Sequence, residues 1–244
     1  MNVFVLSTGR CGSTTFARAC RRITNYSSAH ESKSATNVAL TSVPYQTLEY
    51  ADNHIEVDNR LSWFLGTLDK TYGEQAFYVH LVRDREQVAH SFLRRWDNHG
   101  TNIVRAFAWG PLTYSFNQTK SFSDDRKLDI ARQYWDTVND NSSRFLIDKP
   151  LQITVSLENV QKSFPDFWQM IGAQGDLAGA LAEWDNTYNA SRPKAFSKSA
   201  KGSGSAAPIG NSDHGSEQDS HAKAATDSIR VVDDETDQRV LATR

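Results

Sequence analysis

A four-residue apolar run, Val3-Phe-Val-Leu6, breaks off at Ser7-Thr-Gly-Arg-Cys-Gly12, and the helix-compatible stretch Ser13–Arg22 follows. Nothing else in the chain constrains its fold as tightly. The run reads as a short buried strand over 2–6. The two glycines let the backbone turn sharply and aim N–H groups inward. The start of the next helix adds free N–H donors and a partial positive charge. A strand, a glycine turn and a helix in that order open many α/β sheets.

The rest of the folded part fits that frame. His54–Val57 predicts a strand, and Phe77–Val82 predicts the clearest one in the chain. Helices are expected over 61–70, over 85–96 with Val88, Phe92 and Trp96 in register, and over 125–138 with Leu128, Ala131 and Trp135 in register. The segment 27–34 reads as a loop after a possible second strand, and 36–48, with Pro44, reads ambiguously. Residues 98–123 read as a long aromatic-rich loop or a broken helix. Arg144–Ile147 reads as a short strand. Residues 156–171 and 176–190 read as helical, the first interrupted near Pro165. Trp63, Trp96, Trp135, Trp168 and Trp184 are expected in the core. Strands alternating with helices argue for an α/β fold with a parallel sheet flanked by helices.

The 244 residues suit one domain plus a tail. The α/β domain is placed at 1–192 and a polar, flexible tail at 193–244. Between Ser197 and Ser228 there is no aromatic residue and Ile209 is the sole large aliphatic one. Such a segment has too little apolar surface to offset its ordering entropy. Lys and Arg total 27 against 29 Asp and Glu, which argues against a generally basic nucleic-acid binder. Two cysteines, Cys11 and Cys20, exclude a disulfide scaffold and a Cys-rich zinc site. No signal peptide or membrane span is read, so the cytoplasm is the expected compartment.

Two places carry anion chemistry. The first is the opening loop, with Arg10, the hydroxyls of Ser13, Thr14 and Thr15, and no acidic residue among the first thirty. It is not a Walker A loop, because no Lys occurs before Lys33. It is not a Cys-based phosphatase loop, because the Arg that chemistry needs would fall where Ala17 stands. The second is Arg83, at a strand's carboxyl end, with Ser91 eight residues on in the next helix. Ligands of open α/β sheets bind beyond such strand ends, and a guanidinium with a hydroxyl suits a phosphate.

Taken together, these sites resemble a sulfotransferase that uses 3′-phosphoadenosine 5′-phosphosulfate as donor, of bacterial type. Ser7-Thr-Gly-Arg-Cys-Gly-Ser-Thr14 matches the family's first loop, and Arg83-Asp84 with Ser91 matches its later Arg/Ser pair. Phe167-Trp-Gln-Met-Ile-Gly-Ala-Gln-Gly-Asp-Leu177 and Ala182-Glu-Trp-Asp-Asn186 also look familiar from bacterial members. The likeness spans roughly residues 1 to 192. Many members have Lys where Arg10 stands and Pro where Arg85 stands. No clear Gly-rich basic loop closes the folded part; Arg192, Lys194 and Lys198 stand nearest.

The resemblance implies a P-loop NTPase-like architecture. It implies that Thr8, Gly9, Arg10, Cys11, Gly12, Ser13 and Thr14 hold the 5′-phosphosulfate end of the donor, and Arg83 and Ser91 its 3′-phosphate. It implies in-line sulfuryl transfer to a hydroxyl or amine of a small-molecule or carbohydrate acceptor, with no metal, nucleic-acid or membrane partner. Arg10 would meet the charge growing on the leaving phosphate. A base should take the acceptor proton; Glu31 is favoured, its neighbour His30 comes second because imidazole titrates in the useful range, and Asp58 third. The aromatic segment 98–123, with Phe107, Trp109, Tyr114 and Phe116, suits either a lid over the acceptor or local core. Two rivals stay open: a P-loop-like nucleotide-dependent kinase, and a nucleotide-binding module without catalysis.

Overall fold

A computed structural model of the chain describes residues 1–32, 48–97, 102–186 and 188. Five parallel strands form one sheet: β1 (Val3–Leu6), β2 (Ser27–His30), β3 (His54–Val57), β4 (Phe77–Val82) and β5 (Gln152–Ser156), in the order β2-β3-β1-β4-β5. The helices are α1 (Ser13–Cys20), α2 (Leu65–Tyr72), α3 (Arg85–Leu93), α4 (Asn102–Trp109), α5 (Phe116–Ser121), α6 (Asp124–Leu146), α7 (Val160–Met170) and α8 (Leu177–Ala182). The chain runs from β1 out to β2, returns to β3, then crosses to β4 on the other side of β1. Strand order therefore reverses next to β1, and the crevice above its carboxyl end is where such sheets take ligands.

The alternation of side chains along each strand sorts the core into layers. Val3, Val5, Ile55, Val57, Val79 and Leu81 bury against α1, α7 and α8. Phe4, Leu6 and Tyr78 bury on the other side, with Leu61, Leu68 of α2 and Leu146 at the end of α6. Phe16 of α1 is fully buried, with Phe164 and Phe167 ring centres at 5.4 and 5.1 Å. Truncating such a ring costs about 3–5 kcal/mol. A third cluster joins Val88, Phe92 and Trp96 of the α3 segment to Val104, Phe107, Ile130 and Tyr134.

Several expectations change. Ser27–His30 is a strand rather than a loop. Its apolar content is too low to announce it, and its pairing with β3 is reinforced by polar groups: Ser27 Oγ lies 2.9 Å from His54 Nδ1, and the Ser32 N–H and hydroxyl reach the buried Glu56 carboxylate at 2.8 and 2.6 Å. Arg144–Ile147 is not a strand. Leu146 ends α6, a 23-residue helix capped by Ser123, whose hydroxyl accepts from the Arg126 N–H, with Asp124 and Asp125 in its first turn. The edge strand comes later, at Gln152–Ser156. The expected helix 61–70 divides into a 3-10 turn (Asn59–Trp63) and α2. α7 runs through Pro165 unbroken, its buried Phe164, Phe167 and Trp168 holding it to the sheet.

Trp63 is 46% exposed, not a core residue, because it ends a 3-10 turn rather than facing inward from a helix. Trp96 and Trp168 are buried as expected, while Trp135 and Trp184 pack at the margins of the clusters. Within 98–123 the broken-helix alternative holds, as α4 and α5. Phe107 is core against Tyr134, while Trp109 is exposed. Among the described residues no helix is long and apolar enough to cross a membrane. The segments 33–47 and 189–244, including the expected tail and Arg192, Lys194 and Lys198, lie outside the described residues.

Candidate functional site

The site is built first from backbone. Between β1 and α1, Gly9 (φ 78°), Arg10 (φ 61°) and Gly12 (φ 89°) take left-handed conformations. This curls the loop and points successive N–H groups to one side. The glycines are needed for space as well. A Cβ on Gly9 would stand 2.8 Å from Asn59 Nδ2, and one on Gly12 would stand 3.2 Å from Leu157 and 3.3 Å from Trp184. Gly12 occupies the N-cap of α1 and brings no side-chain cap, so the cap position itself sets no oxygen over the first turn of α1.

Neighbouring elements hold this loop in place. The Tyr134 hydroxyl donates to the Thr8 carbonyl at 3.1 Å, and the Ser62 hydroxyl to the Ser7 carbonyl at 3.2 Å. Thr8 is buried, its hydroxyl donating to the Gly9 carbonyl. Cys11 is fully buried in the apolar core, and burial pushes its thiol up despite hydrogen bonds with Ser7 and Thr8. Thr8 and Cys11 thus offer the crevice main-chain groups rather than side chains. Ser13 and Thr14 are half-exposed at the start of α1.

The second corner, between β4 and α3, is built from side chains. Asp84 caps α3, its carboxylate accepting from the Gln87 N–H at 2.9 Å. Arg83 is pinned at the strand end. Its Nη1 donates to the Arg10 carbonyl at 3.1 Å, its Nε and Nη2 to Gln87 Oε1, and its own carbonyl accepts from Trp135 Nε1. Behind it, Glu158 accepts from the Asp84 N–H at 2.8 Å. Burial would raise this carboxyl, but that bond and the Ser156 hydroxyl outweigh it and hold it below its ordinary range.

Arg10 joins the corners. Its Nε donates to Ser91 Oγ at 3.0 Å, and Ser91 is buried. The guanidinium is lowered to about 10, first by burial and then by the charges of Arg95, Arg83 and Arg94. Arg94 and Arg95 escaped the sequence reading. Their spacing of three and four from Ser91 was the available signal, since it places them on Ser91's side of the helix.

The candidate bases separate. His30 ends β2, and its Nε2 lies 3.1 Å from Ser13 Oγ at the head of α1. Glu31 follows with φ 53°, its N–H donating to the Val57 carbonyl, and its charge faces Arg60. Asp58 is buried and held by Arg60, whose Nε and Nη2 donate at 3.0 and 2.5 Å, and it caps the 3-10 turn. That leaves it engaged in structure. Among the described residues no cluster of His, Cys, Asp or Glu is arranged to hold a metal ion.

No family model matches the sequence, and no curated protein matches it. A comparison of solved structures matches the chain to one titled "Sulfotransferase Domain from the Curacin Biosynthetic Pathway", at 14% identity and a TM-score of 0.52, over 76% of this chain and 78% of that one. The parallel sheet with helices on both faces is therefore a fold this chain shares with a sulfotransferase domain.

Proposed function

We propose that the protein moves a sulfuryl group from 3′-phosphoadenosine 5′-phosphosulfate to a hydroxyl or amine of a small-molecule or carbohydrate acceptor. The observation that carries this reading is the Arg10–Ser91 contact. It merges a backbone anion loop and a guanidinium–hydroxyl corner into one surface, which suits a ligand with two separate anionic ends. The donor set fits: N–H groups, hydroxyls and guanidiniums, with no Lys in the loop of the kind a Walker motif requires.

The donor would supply an activated sulfuryl group on its 5′-phosphate. In transfer, the bond from sulfur to that phosphate oxygen breaks and a bond from sulfur to the acceptor oxygen or nitrogen forms. The negative charge stays on the phosphate and the acceptor proton goes to the base. The N–H groups of Gly12 to Thr14 and the Ser13 hydroxyl would hold the reacting end, and Arg10 would meet the growing charge. Arg83 and Ser91 would take the 3′-phosphate. For the base, the contact between His30 and Ser13 favours His30 over Glu31, because it puts the imidazole beside the loop that would grip the sulfuryl group. His30→Gln is expected to lower kcat by about 10²–10⁴-fold and Glu31→Gln by less, in an acceptor screen with radiolabelled donor. The reverse order would restore Glu31 as the base.

Thermal unfolding with adenosine 3′,5′-bisphosphate, and separately with ATP and Mg²⁺, tests the donor class. A ligand at a hundred times its Kd stabilises by about 2.7 kcal/mol, which raises the midpoint of a domain of this size by about 5–10 °C. The expected result is a shift with the bisphosphate that disappears in Arg83→Ala. A shift with ATP and Mg²⁺ alone would favour the phosphotransferase reading instead. Binding without transfer to any acceptor would favour a non-catalytic module.

A further inference from the structure

At the amino end of the β2–β3 edge, a serine, a histidine and a glutamate form a chain of hydrogen bonds that the crevice does not use. Ser27 opens β2 and stands opposite His54, the first residue of β3. Ser27 Oγ lies 2.9 Å from His54 Nδ1, and His54 Nε2 lies 2.8 Å from Glu56 Oε2. The crevice lies at the other end of these strands, where His30 ends β2. At the usual rise of a strand, about 10 Å separates Ser27 from His30.

Each link fixes the next. Glu56 is fully buried, and the Ser32 N–H and hydroxyl donate to it at 2.8 and 2.6 Å. Burial would raise its carboxyl, but these bonds and the one from His54 outweigh it and hold it below its ordinary range. An ionised carboxylate only accepts, so the proton between it and His54 belongs to Nε2. Nδ1 is left with a lone pair, and the Ser27 hydroxyl donates to it. Tyr50 stacks on the imidazole, ring centres 5.2 Å apart and planes within 9°, and holds the plane of that ring. Ser27 itself is exposed. Its N–H donates to the Asn53 carbonyl, and main-chain groups alternate along a strand, so the Ser28 N–H turns to the outer side of β2. A lock for a sheet edge needs none of this: an apolar residue at position 56 would pack there without the cost of burying a charge.

We propose that Ser27, His54 and Glu56 form a second catalytic site, in which Ser27 is a nucleophile toward activated carboxylic esters. The Ser27 oxygen bonds to the ester carbonyl carbon while its proton passes to His54 Nδ1. The bond from that carbon to the leaving alcohol oxygen breaks, and His54 returns the proton to that oxygen. Water then repeats the sequence on the acyl-serine: it bonds to the carbon and gives a proton to His54, the carboxylic acid departs, and the serine hydroxyl regains its proton. Glu56 keeps Nε2 protonated and steadies the imidazolium, and the Ser28 N–H offers a donor to the oxyanion. The site works independently of the nucleotide crevice.

A fluorophosphonate probe and p-nitrophenyl acetate test it on the full chain. With the probe, the serine oxygen displaces fluoride from phosphorus and the adduct persists, so peptide mapping by mass spectrometry finds the residue that carries it. The phosphonate is expected on Ser27. Ser27→Ala, a change at an exposed position, should remove both the label and the ester turnover. His54→Gln should lower both by about 10²–10⁴-fold, the usual share of a general base. Ser143→Ala, at an exposed hydroxyl of α6, should change neither. Thermal melts separate loss of activity from loss of fold, and if His54→Gln does not fold, the full chain against Ser27→Ala decides alone. A full chain without phosphonate on Ser27, or ester turnover that survives Ser27→Ala, would overturn the site. Labelling at the full rate in His54→Gln would reduce Ser27 to a bare hydroxyl and overturn it as well.

Discussion

The two corners that face the crevice are made of different materials. At the β1–α1 corner the donors are main-chain N–H groups, aimed by left-handed backbone at Gly9, Arg10 and Gly12 and braced from behind by Tyr134 and Ser62. At the β4–α3 corner the donors are side chains, Arg83 and Ser91, with Arg94 and Arg95 beyond. A backbone corner depends on conformations that almost any added side chain would disturb, and its groups carry no full charge. A side-chain corner tolerates changes of backbone sequence, but it must bear the repulsion among its own cations. The first should fail by unfolding or misshaping, and the second by losing charge.

The largest effect is expected at Arg10, which belongs to both. Arg10→Ala should lower kcat by about 10²–10³-fold, as removal of one donor to a developing oxyanion does. Steady-state rates beside a thermal melt would check this. A fall in affinity with kcat unchanged would place Arg10 wholly in binding and break the link between the corners.

Next comes Gly12→Ala. Strain at positive φ and the approach of Leu157 and Trp184 should together cost about 2 kcal/mol, or about 4–8 °C in the melting midpoint. A melt at the wild-type temperature would show that the backbone corner is softer than its geometry implies.

The smallest effect lies under the neighbouring β2–β3 edge, where Glu56 is fully buried. Burial raises its carboxyl, but hydrogen bonds from His54 and from the Ser32 hydroxyl and N–H outweigh that and hold it below its ordinary range. A carboxyl lowered in the folded state stabilises above its unfolded value, about 4.3, and loses that contribution as pH falls through the folded value. The stability advantage of the wild-type chain over Glu56→Gln should therefore shrink with acid, as thermal melts between pH 3 and 7 would read. A constant difference would mean that the Ser32 and His54 contacts do not depend on the carboxylate's charge.

Much of this was legible in the chain. The apolar run at Val3–Leu6, broken by glycines and followed by a helix, sufficed for the β1–α1 corner, because its geometry is local. Phe77–Val82 with Arg83 and Ser91 was legible for the same reason. β2 was not, since Ser27-Ser-Ala-His30 is a strand only through its pairing with β3. Nor was β5, because Gln152–Ser156 falls between the apolar run Arg144–Ile147, which itself reads as a strand, and the helical pattern that begins at 156. The run Arg144–Ile147 looked like a strand because Phe145, Leu146 and Ile147 are apolar in succession. In the fold Leu146 meets Phe4 and Tyr78 from the end of a helix, while Ile147 is left 61% exposed.

By itself the sequence determined the α/β class, the glycine-turned loop and the types of donor at each corner, since these depend on contacts within a few residues. The tertiary structure alone decided that Arg10 reaches Ser91, 81 residues away, that His30 rather than Asp58 stands beside Ser13, and that Arg94 and Arg95 join the same cationic group. Those juxtapositions come from the order of strands in the sheet, which packing and loop closure select and which no local pattern encodes.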